Sequence, residues 1–423
     1  QSKMSSPQVV IIGGGVAGLV CARHLHEEGV SSLILEASEA VGGRIRTDLV
    51  DGFSLDRGFQ ILLTAYPEAR KLLDFEALNL RTYEPGSLIR YRGEFYPLVD
   101  PVRRPGKLLS TLTSPIATFA DKLRLARLKI KSCRGPIQDI YSRPETSTLQ
   151  RLRSEGFSEG FIDRFFRPFL GGVFLEPDLT TSTRKFDLVF RMFSSGNAAV
   201  PAKGMEAIPR QLASELPCEA IRLNAQVKRV DPATNTVELV GGEKILASRV
   251  VMACTEGVVN ELLDLQPEPS QSHGVTCLYF SSDAAPIDQP MLILNGEGSG
   301  PINNLCVPSL VAPETAPDGK SLISVSCLGA TEDGREESLR QEVLAQARDW
   351  FGNTVDQWRH LRTYSIPYAL PKANPAFFNR GEFANTRFDE LYICGDHLET
   401  ASLEGAMLSG RITAQNVIAS LAS

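Results

Sequence analysis

The chain has 423 residues, of which 43% are hydrophobic and 22% charged, and its formal net charge is −6. This length exceeds one ordinary core, so two domains are expected, and the acidic balance gives no overall indication of a nucleic-acid-binding protein. No apolar stretch reaches the roughly 20 residues needed to span a bilayer, so no transmembrane helix is expected.

The first predicted elements are two strands with a helix between them. The β-branched apolar run 9–12 is typical of a buried parallel strand. The segment 13–18 follows it with the spacing GxGxxG, then a helical pattern over 19–28 and a second strand over 32–35. This order of elements predicts a dinucleotide-binding unit rather than a glycine-rich structural turn, which is the alternative.

Each conspicuous residue of this unit has a physical role in that prediction. Gly13 permits the tight turn, Gly15 lets a pyrophosphate approach the backbone, and Gly18 lets the helix pack close to the strand. The helix N-terminus offers N–H groups and a positive dipole end to the phosphates. Glu36, at the end of the second strand, can accept hydrogen bonds from the adenosine ribose.

A second glycine element follows, Val41-Gly42-Gly43-Arg44. We expect the glycine pair to let the chain fold back over the pyrophosphate, and the planar guanidinium of Arg44 to neutralise phosphate charge. The next conspicuous segment is 56–60, in which Gly58 exposes backbone where an isoalloxazine ring could lie.

The blocks VVIIGGGVAGLVCARHL, LILEASEAVGGRIRT and DGFSLDRGFQ resemble the flavin amine oxidase superfamily. This superfamily includes monoamine oxidases, protoporphyrinogen oxidases and phytoene desaturases, and the GGR element marks it. The resemblance implies that the chain binds FAD, because dehydrogenases that use NAD alone do not show this element.

Segment 102–134 is strongly basic, with nine lysines and arginines against Asp121 and with apolar residues interleaved. The interpretation that we favour is a helix that packs on the substrate domain and has a solvated basic face. The alternative is peripheral membrane contact, with the apolar face in lipid and the cations toward anionic headgroups.

The middle of the chain matches the superfamily more loosely. Strands are predicted over 221–230 and 248–255, and the resemblance implies that Val227 holds adenine through its backbone. Segment 201–209, PAKGMEAIP, resembles the PxGGM helix start of the desaturase and protoporphyrinogen oxidase branch.

A strand over 391–394, the pair Gly395-Asp396 and a helix from about 403 to 421 form the last motif. Asp396 can accept hydrogen bonds from ribityl hydroxyls, and the helix N-terminus can face the electron-rich pyrimidine edge of the flavin. The superfamily closes with a similar motif, GD…EGA…SG, matched by Gly395, Asp396, Glu404, Gly405, Ala406, Ser409 and Gly410.

These motifs and the resemblance predict contacts with FAD at 19 positions and no metal site. They are Gly13, Gly15, Val16, Ala17, Gly18, Glu36, Ala37, Gly43, Arg44, Gly58, Phe59, Gln60, Val227, Ala253, Gly395, Asp396, Leu403, Glu404 and Ala406. His397 is the candidate catalytic residue because it follows Asp396, and a local hydrogen-bonding role is the alternative.

The predicted fold is α/β, with a Rossmann-like FAD-binding domain of the glutathione reductase type and an inserted α+β substrate domain. The FAD-binding domain is predicted to be discontinuous, over 1–75, 200–256 and 385–423, and the substrate domain takes 76–199 and 257–384. The superfamily's amine oxidases place a lysine near the flavin N5 and an aromatic residue before the EGA element. Here Thr276 and Ser402 align with those positions, which argues against a typical amine oxidase.

The resemblance therefore implies an FAD-dependent oxidoreductase of the desaturase-like and protoporphyrinogen oxidase-like branch. It would remove hydride from a C–H or C–N bond of an apolar small molecule and pass electrons to oxygen or a quinone. The alternatives are a non-redox isomerase of a polyene-type substrate, an amine oxidase, or a flavin-binding protein without turnover. The flavin is expected to be non-covalent, since Cys394 fits a strand core and not a covalent attachment site.

The eight cysteines form no CxxC pair, which indicates reduced thiols and a reducing compartment. The start of the chain, 1–8, is polar and lacks the apolar core of a secretory signal. We expect a protein of the cytoplasm or the plastid stroma that is not secreted, with membrane association as the open alternative.

Overall fold

The structure is a computed structural model that describes residues 7–99, 103, 106, 113–265, 272–373, 386–388 and 391–422. All eight cysteines lie in these ranges, and each is a free thiol. Within the same ranges, no helix combines the length and the apolar character needed to cross a bilayer.

A six-stranded sheet collects strands from three distant parts of the chain. Its pairs are parallel except at the last edge, where the final two strands are antiparallel. Val9 to Ile12 are buried on both faces, which is why this strand is apolar throughout instead of alternating. In spatial order the strands are Ile221–Arg222, Ser32–Leu35, Val9–Ile12, Arg249–Met252, Leu391–Ile393 and Thr386–Phe388.

Helices Val16–Glu27 and Leu403–Ala422 pack against each other beside this sheet. Their contact depends on Gly410, where a Cβ would lie 2.4 Å from the carbonyl oxygen of Ala17. A side chain at this position would push the two helices apart. The two ends of the chain are thereby held together at the carboxyl ends of the parallel strands, where open α/β sheets bind their ligands.

A seven-stranded, largely antiparallel sheet forms a second layer. Helix Glu336–Phe351 packs over one face through Val343, Ala347 and Trp350. In spatial order the strands are Arg359–Pro371, Ser272–Ser282, Ser321–Leu328, Asn304–Cys306, Leu292–Asn295, Gly86–Tyr91 and Glu94–Val99.

A helical cluster with a phenylalanine-rich core packs beside this second sheet. The core contains Phe157, Phe161, Phe166, Phe174 and Phe186. The helices are Phe119–Ser132, Gln138–Tyr141, Thr148–Ser154, Glu159–Phe161, the π-helical turn Ile162–Phe166, Arg167–Phe174 and Thr183–Ser195.

Smaller elements complete the described chain. The remaining strands are Thr47–Val50 with Phe53–Asp56; Leu62–Leu63, Ala198–Pro201 and Leu80–Thr82; and Val227–Asp231, Thr236–Leu239 and Lys244–Leu246. The remaining α-helices are Pro67–Leu72, Ala207–Ser214, Glu256–Leu262 and Pro308–Val311. The 3₁₀ helices are Cys218–Ala220, Pro313–Thr315, Gly352–Gln357 and Asp396–Leu398.

The predicted α/β fold class is confirmed, whereas one predicted strand is wrong. Segment 221–230 forms two strands in different sheets, because Asn224 takes a left-handed conformation with φ 52° and turns the chain between them. The domain division at 75, 199, 256 and 384 stays a prediction.

Candidate functional site

A cavity of about 1310 Å³ adjoins the carboxyl ends of the parallel strands. Fifteen of the 19 predicted cofactor contacts line it, and so does His397. The four that do not line it are Gly18, Ala37, Val227 and Glu404. The structure therefore brings the N-terminal and C-terminal motifs to one space, as their common prediction requires, while the individual contacts with FAD stay predictions.

Gly18 contributes through close packing rather than by lining the cavity. A Cβ at this position would lie 2.2 Å from the Gly13 carbonyl oxygen and 3.1 Å from the Ala253 Cβ. Contacts this short are not available to any side chain. Gly18 therefore lets the first helix start directly above the turn that leaves the first strand.

Glu36 is fixed at the cavity wall by the turns around it. One carboxylate oxygen accepts a 2.7 Å hydrogen bond from the Gly14 N–H. The other accepts from the Ser38 N–H at 2.9 Å and from its hydroxyl at 2.7 Å. These three bonds leave acceptor capacity on the carboxylate, since its two oxygens together offer about four lone-pair sites.

The Gly42-Gly43-Arg44 element folds back onto the first glycine turn, while its predicted position over the pyrophosphate stays a prediction. The Gly42 N–H donates a 2.8 Å hydrogen bond to the Gly14 carbonyl, and a Cβ at Gly43 would lie 3.3 Å from the Gly15 Cα. Along this part of the cavity, the backbone at Gly42-Gly43 therefore lies directly against the backbone at Gly14-Gly15, without side chains between them. Such a cradle fits the pyrophosphate of a dinucleotide, which needs close approach to N–H groups.

Arg44 connects the two ends of the chain across the cavity. Its Nη2 lies 2.5 Å from Asp396 Oδ1, and its Nη1 donates to the Ala369 carbonyl at 3.1 Å. Asp396 is buried at the start of the last motif, and the Gly395 N–H donates to the Ser409 hydroxyl at 3.0 Å. Arg44, which is predicted to neutralise phosphate, and Asp396, which is predicted to bind the ribityl chain, thus form an ion pair with each other.

His397 packs over Gly395. A Cβ at Gly395 would lie 2.6 Å from the imidazole Cε1, so the glycine makes room for the ring. Burial lowers the pKa of His397 below its ordinary value, and the imidazole is therefore neutral at pH 7. Its catalytic role stays a prediction beside the alternative of local hydrogen bonding.

Glu404 faces away from the cavity. Its carboxylate accepts hydrogen bonds from the Glu68 N–H at 2.9 Å and from the Ala69 N–H at 3.4 Å, at the start of helix Pro67–Leu72. Burial raises its pKa to about 7, although these hydrogen bonds oppose the shift. Glu68 in turn pairs with Arg411 on the next turns of the C-terminal helix.

The raised pKa of Glu404 predicts a pH-dependent stability. The folded protein holds this proton more tightly than the unfolded chain, whose carboxyl titrates near 4.5. The stabilisation is therefore present below about pH 4.5 and is lost as the pH rises through 7. Relative to Glu404→Gln, the wild-type protein should lose on the order of 3 kcal/mol between pH 5 and pH 8.

Thermal unfolding of the two proteins across that pH range measures this difference. Glu215→Gln, at an exposed position, is the matched control and should stay parallel to the wild type. A Glu404→Gln difference that is independent of pH would contradict the assignment.

Of the two positions that argue against an amine oxidase, one faces away from the cavity and the other lines it. Thr276 is buried and faces away from the cavity, with its hydroxyl donating to the Gly329 carbonyl at 2.9 Å, whereas the neighbouring Val275 lines the cavity. Strand Ser272–Ser282 contains no lysine. Ser402 does line the cavity, where its hydroxyl accepts from the Gly405 N–H.

Two cysteines line the cavity next to the predicted flavin positions. Burial raises the pKa of Cys254 to about 12 and raises the pKa of Cys394 well above its ordinary value. Both thiols are therefore protonated and weakly nucleophilic at neutral pH. The non-covalent attachment of the flavin stays a prediction.

Beyond the glycine motifs the cavity has an aromatic wall that the sequence motifs do not predict. Phe165 stacks on Phe169 with centroids 5.3 Å apart, and Phe169 meets Phe193 edge-on at 5.2 Å. The buried Lys185 was missed as well. The available signal was helical spacing, because Lys185, Val189 and Phe193 recur every fourth residue and share one helix face.

A family model for flavin containing amine oxidoreductase matches residues 16–418. The chain is 22% identical to 15-cis-phytoene desaturase of Synechococcus elongatus, over 97% of this chain and 96% of that protein. It is 24% identical to coproporphyrinogen III oxidase of Propionibacterium freudenreichii, over 39% of this chain and only 31% of that protein.

Among solved structures, an oxidoreductase from Methanosarcina mazei superposes with a TM-score of 0.76 and 18% identity. The superposition covers 97% of this chain and 99% of that one, which shows a shared fold. The cradle of bare backbone and the paired Arg44 and Asp396 fit the FAD that this family binds. From the match over nearly its whole length, the chain belongs to the flavin containing amine oxidoreductase family and is an FAD-dependent oxidoreductase.

Proposed function

We propose that the protein removes a hydride from a C–H bond of a large, apolar small molecule. The observation that carries this proposal is the aromatic wall of Phe165, Phe169 and Phe193, which lines the same cavity as the predicted FAD positions. A wall of this kind favours an apolar substrate through burial of its surface. The names of two relatives, a phytoene desaturase and a coproporphyrinogen oxidase, agree with a bulky substrate.

The protein's contribution is binding, orientation and exclusion of water. When bound, FAD accepts the two electrons and is returned to its oxidised form by oxygen or a quinone. The aromatic residues hold the substrate beside the positions of Gly58 and Ser402, and neutral His397 adds no charge there. The absence of a lysine from strand Ser272–Ser282 favours C–H over amine oxidation.

Anaerobic mixing of the oxidised holoprotein with candidate substrates tests the proposal. At least one member of a set of polyenes and porphyrinogens should bleach the visible flavin absorbance with one oxidised product per flavin, whereas alkylamines should not. Product without net bleaching would indicate the isomerase alternative, and bleaching by amines alone would indicate an amine oxidase. If none of these ligands reacts, the proposal is wrong and a binding role is left.

We also propose that helix Phe119–Ser132 rests on an anionic membrane surface. Phe119, Leu123, Ala126 and Ile130 recur at i, i+4, i+7 and i+11, so they form one stripe, and all four are exposed and line the cavity. Lys122, Lys129 and Arg127 flank the stripe on the helix surface. The stripe can enter the headgroup region while the cations meet anionic lipid. Much of the basic stretch 102–112 lies outside the described residues.

Leu123→Glu with Ile130→Glu should reduce binding to vesicles of mixed phosphatidylglycerol and phosphatidylcholine at least about tenfold, because each leucine or isoleucine contributes roughly 1.5 kcal/mol or more on burial. Vesicle sedimentation measures this binding. Leu246→Glu is the matched control, since Leu246 is 60% exposed against 56% for Leu123 but lies in a different sheet. Equal binding by both variants would refute membrane docking through this helix.

A further inference from the structure

Lys185 is a buried lysine that lines the cavity. It is only 2% exposed, and its Nζ lies 5.3 Å from the Phe174 ring centroid. The same helix face contributes Val189 and Phe193 to the cavity wall. An ammonium group in such surroundings is costly unless a partner satisfies it.

The protein itself supplies no such partner within the described ranges, where no residue forms a hydrogen bond or ion pair with the Lys185 ammonium. Two carboxylates act on it from a distance, and both are engaged elsewhere. Asp396 pairs with Arg44, and Glu176 accepts from the Thr181 N–H at 2.9 Å and from its hydroxyl at 2.8 Å.

Burial lowers the pKa of Lys185 to about 7, because those two carboxylates only partly offset the loss of water. The other titratable side chain that senses Lys185 is His273, whose own pKa is lowered to about 4, chiefly by burial and then by Lys372 and Lys185. His273 is therefore uncharged between pH 6 and 9 and adds no positive charge that would repel a protonated Lys185. The Lys185 amine can therefore take up a proton when an anionic ligand binds next to it.

We propose that Lys185 recognises a carboxylate on an otherwise apolar substrate, and thereby orients that substrate in the cavity. This proposal rests on the proposed function and narrows its substrate class to apolar carboxylic acids. The aromatic wall binds the apolar body, and the ammonium binds the charged end through a charge-assisted hydrogen bond. The aromatic wall and Lys185 each fix one end of the molecule, so a neutral hydrocarbon would bind without one defined position along the cavity.

Isothermal titration of the oxidised holoprotein with decanoate and with 1-decanol tests this, since the two probes share an apolar chain and differ in charge. At pH 8 wild-type Lys185 is mostly neutral, so decanoate binding should take up about 0.9 proton, which is measured from the heats in two buffers of different ionisation enthalpy. Decanol should take up none.

Lys185→Met should abolish the proton uptake and weaken decanoate binding about 30-fold or more, with less than about a threefold change for decanol. Lys185→Arg keeps the charge and should retain a preference for decanoate over decanol. Lys244→Met, at an exposed lysine of strand Lys244–Leu246, is the matched control and should behave as the wild type.

Equal decanoate affinity in the wild type and Lys185→Met, or wild-type binding without proton uptake, would overturn the proposal. So would a Lys185→Met protein that loses FAD or shifts the flavin spectrum without ligand while decanoate binding is unchanged, because Lys185 would then contact the cofactor. If neither Lys185 variant folds, proton uptake by the wild type alone decides. Failure of the proposed function would instead appear as a flavin that the polyenes and porphyrinogens leave unreduced while decanoate binding and proton uptake are intact.

Discussion

Gly18→Ala is expected to yield a protein that is purified with little or no FAD and that unfolds at a lower temperature. The added methyl would lie 2.2 Å from the Gly13 carbonyl oxygen, which is backbone and cannot rotate away. Either the first helix or the turn 13–15 must shift, at a cost on the order of 3 kcal/mol. Since 1.4 kcal/mol is a factor of ten in affinity, FAD should bind at least about tenfold more weakly.

Gly257→Ala is the matched control, because it makes the same change in a helix where nothing lies within 4 Å of the new Cβ. It should be neutral or stabilise the protein by about 0.5–1 kcal/mol, since alanine has the higher helix propensity. Flavin content per chain and the melting temperature decide the comparison. A Gly18→Ala protein with full flavin content and unchanged melting temperature would show that the close packing is not needed.

The features that the sequence predicts well are those fixed by local geometry. The turn 13–18 and the pair Gly42-Gly43 need backbone conformations and close approaches that only glycine permits, so the residue type itself reports the structure. The same holds for Gly410, whose role in joining the two terminal helices follows from one missing Cβ. Motifs of this kind predict the FAD site without any knowledge of the rest of the chain.

The direction of a side chain within a motif is less accessible. Leu403 and Ala406 line the cavity. Glu404 directly follows Leu403, so it is rotated by about 100° around the helix axis and faces helix Pro67–Leu72 instead. Matching the EGA element identifies the helix but not which face meets the cofactor. The contact of Glu404 with FAD stays a prediction, whereas its carboxylate accepts hydrogen bonds from the start of helix Pro67–Leu72.

Residues that depend on tertiary packing could not be predicted from the motifs at all. Lys185 becomes notable only because helix Thr183–Ser195 lies along the cavity and no carboxylate in the described part of the chain pairs with the lysine. The aromatic wall likewise joins a π-helical turn, which contains Phe165, to two helices that contain Phe169 and Phe193. Such a surface is a product of how separate elements meet, and periodicity within one element reports only one side of it.

Asp396→Ala is expected to weaken FAD binding about 30- to 150-fold, which corresponds to about 2–3 kcal/mol for the loss of hydrogen bonds to a charged group. The change removes the predicted acceptor for the ribityl chain and also leaves Arg44 with the Ala369 carbonyl as its hydrogen-bond acceptor and the Tyr368 ring as its cation–π partner among the described residues. Because the Arg44 side chain is partly exposed, water compensates part of that loss, and the estimate stays below the 3–5 kcal/mol of a fully buried pair.

A double-mutant cycle separates the two contributions to this loss. If Arg44 acts through Asp396, then Arg44→Met in the Asp396→Ala background should cost less FAD affinity than Arg44→Met alone, whereas independent contacts with FAD would make the two losses additive. Asp283→Ala, which breaks an ion pair between exposed Asp283 and Lys320, is the matched control and should leave FAD affinity unchanged. FAD affinity is measured by fluorescence titration of the apoprotein. If Asp396→Ala binds FAD with wild-type affinity, the last motif orders the chain around the flavin without binding it. Asp396 would then only hold Arg44 in place.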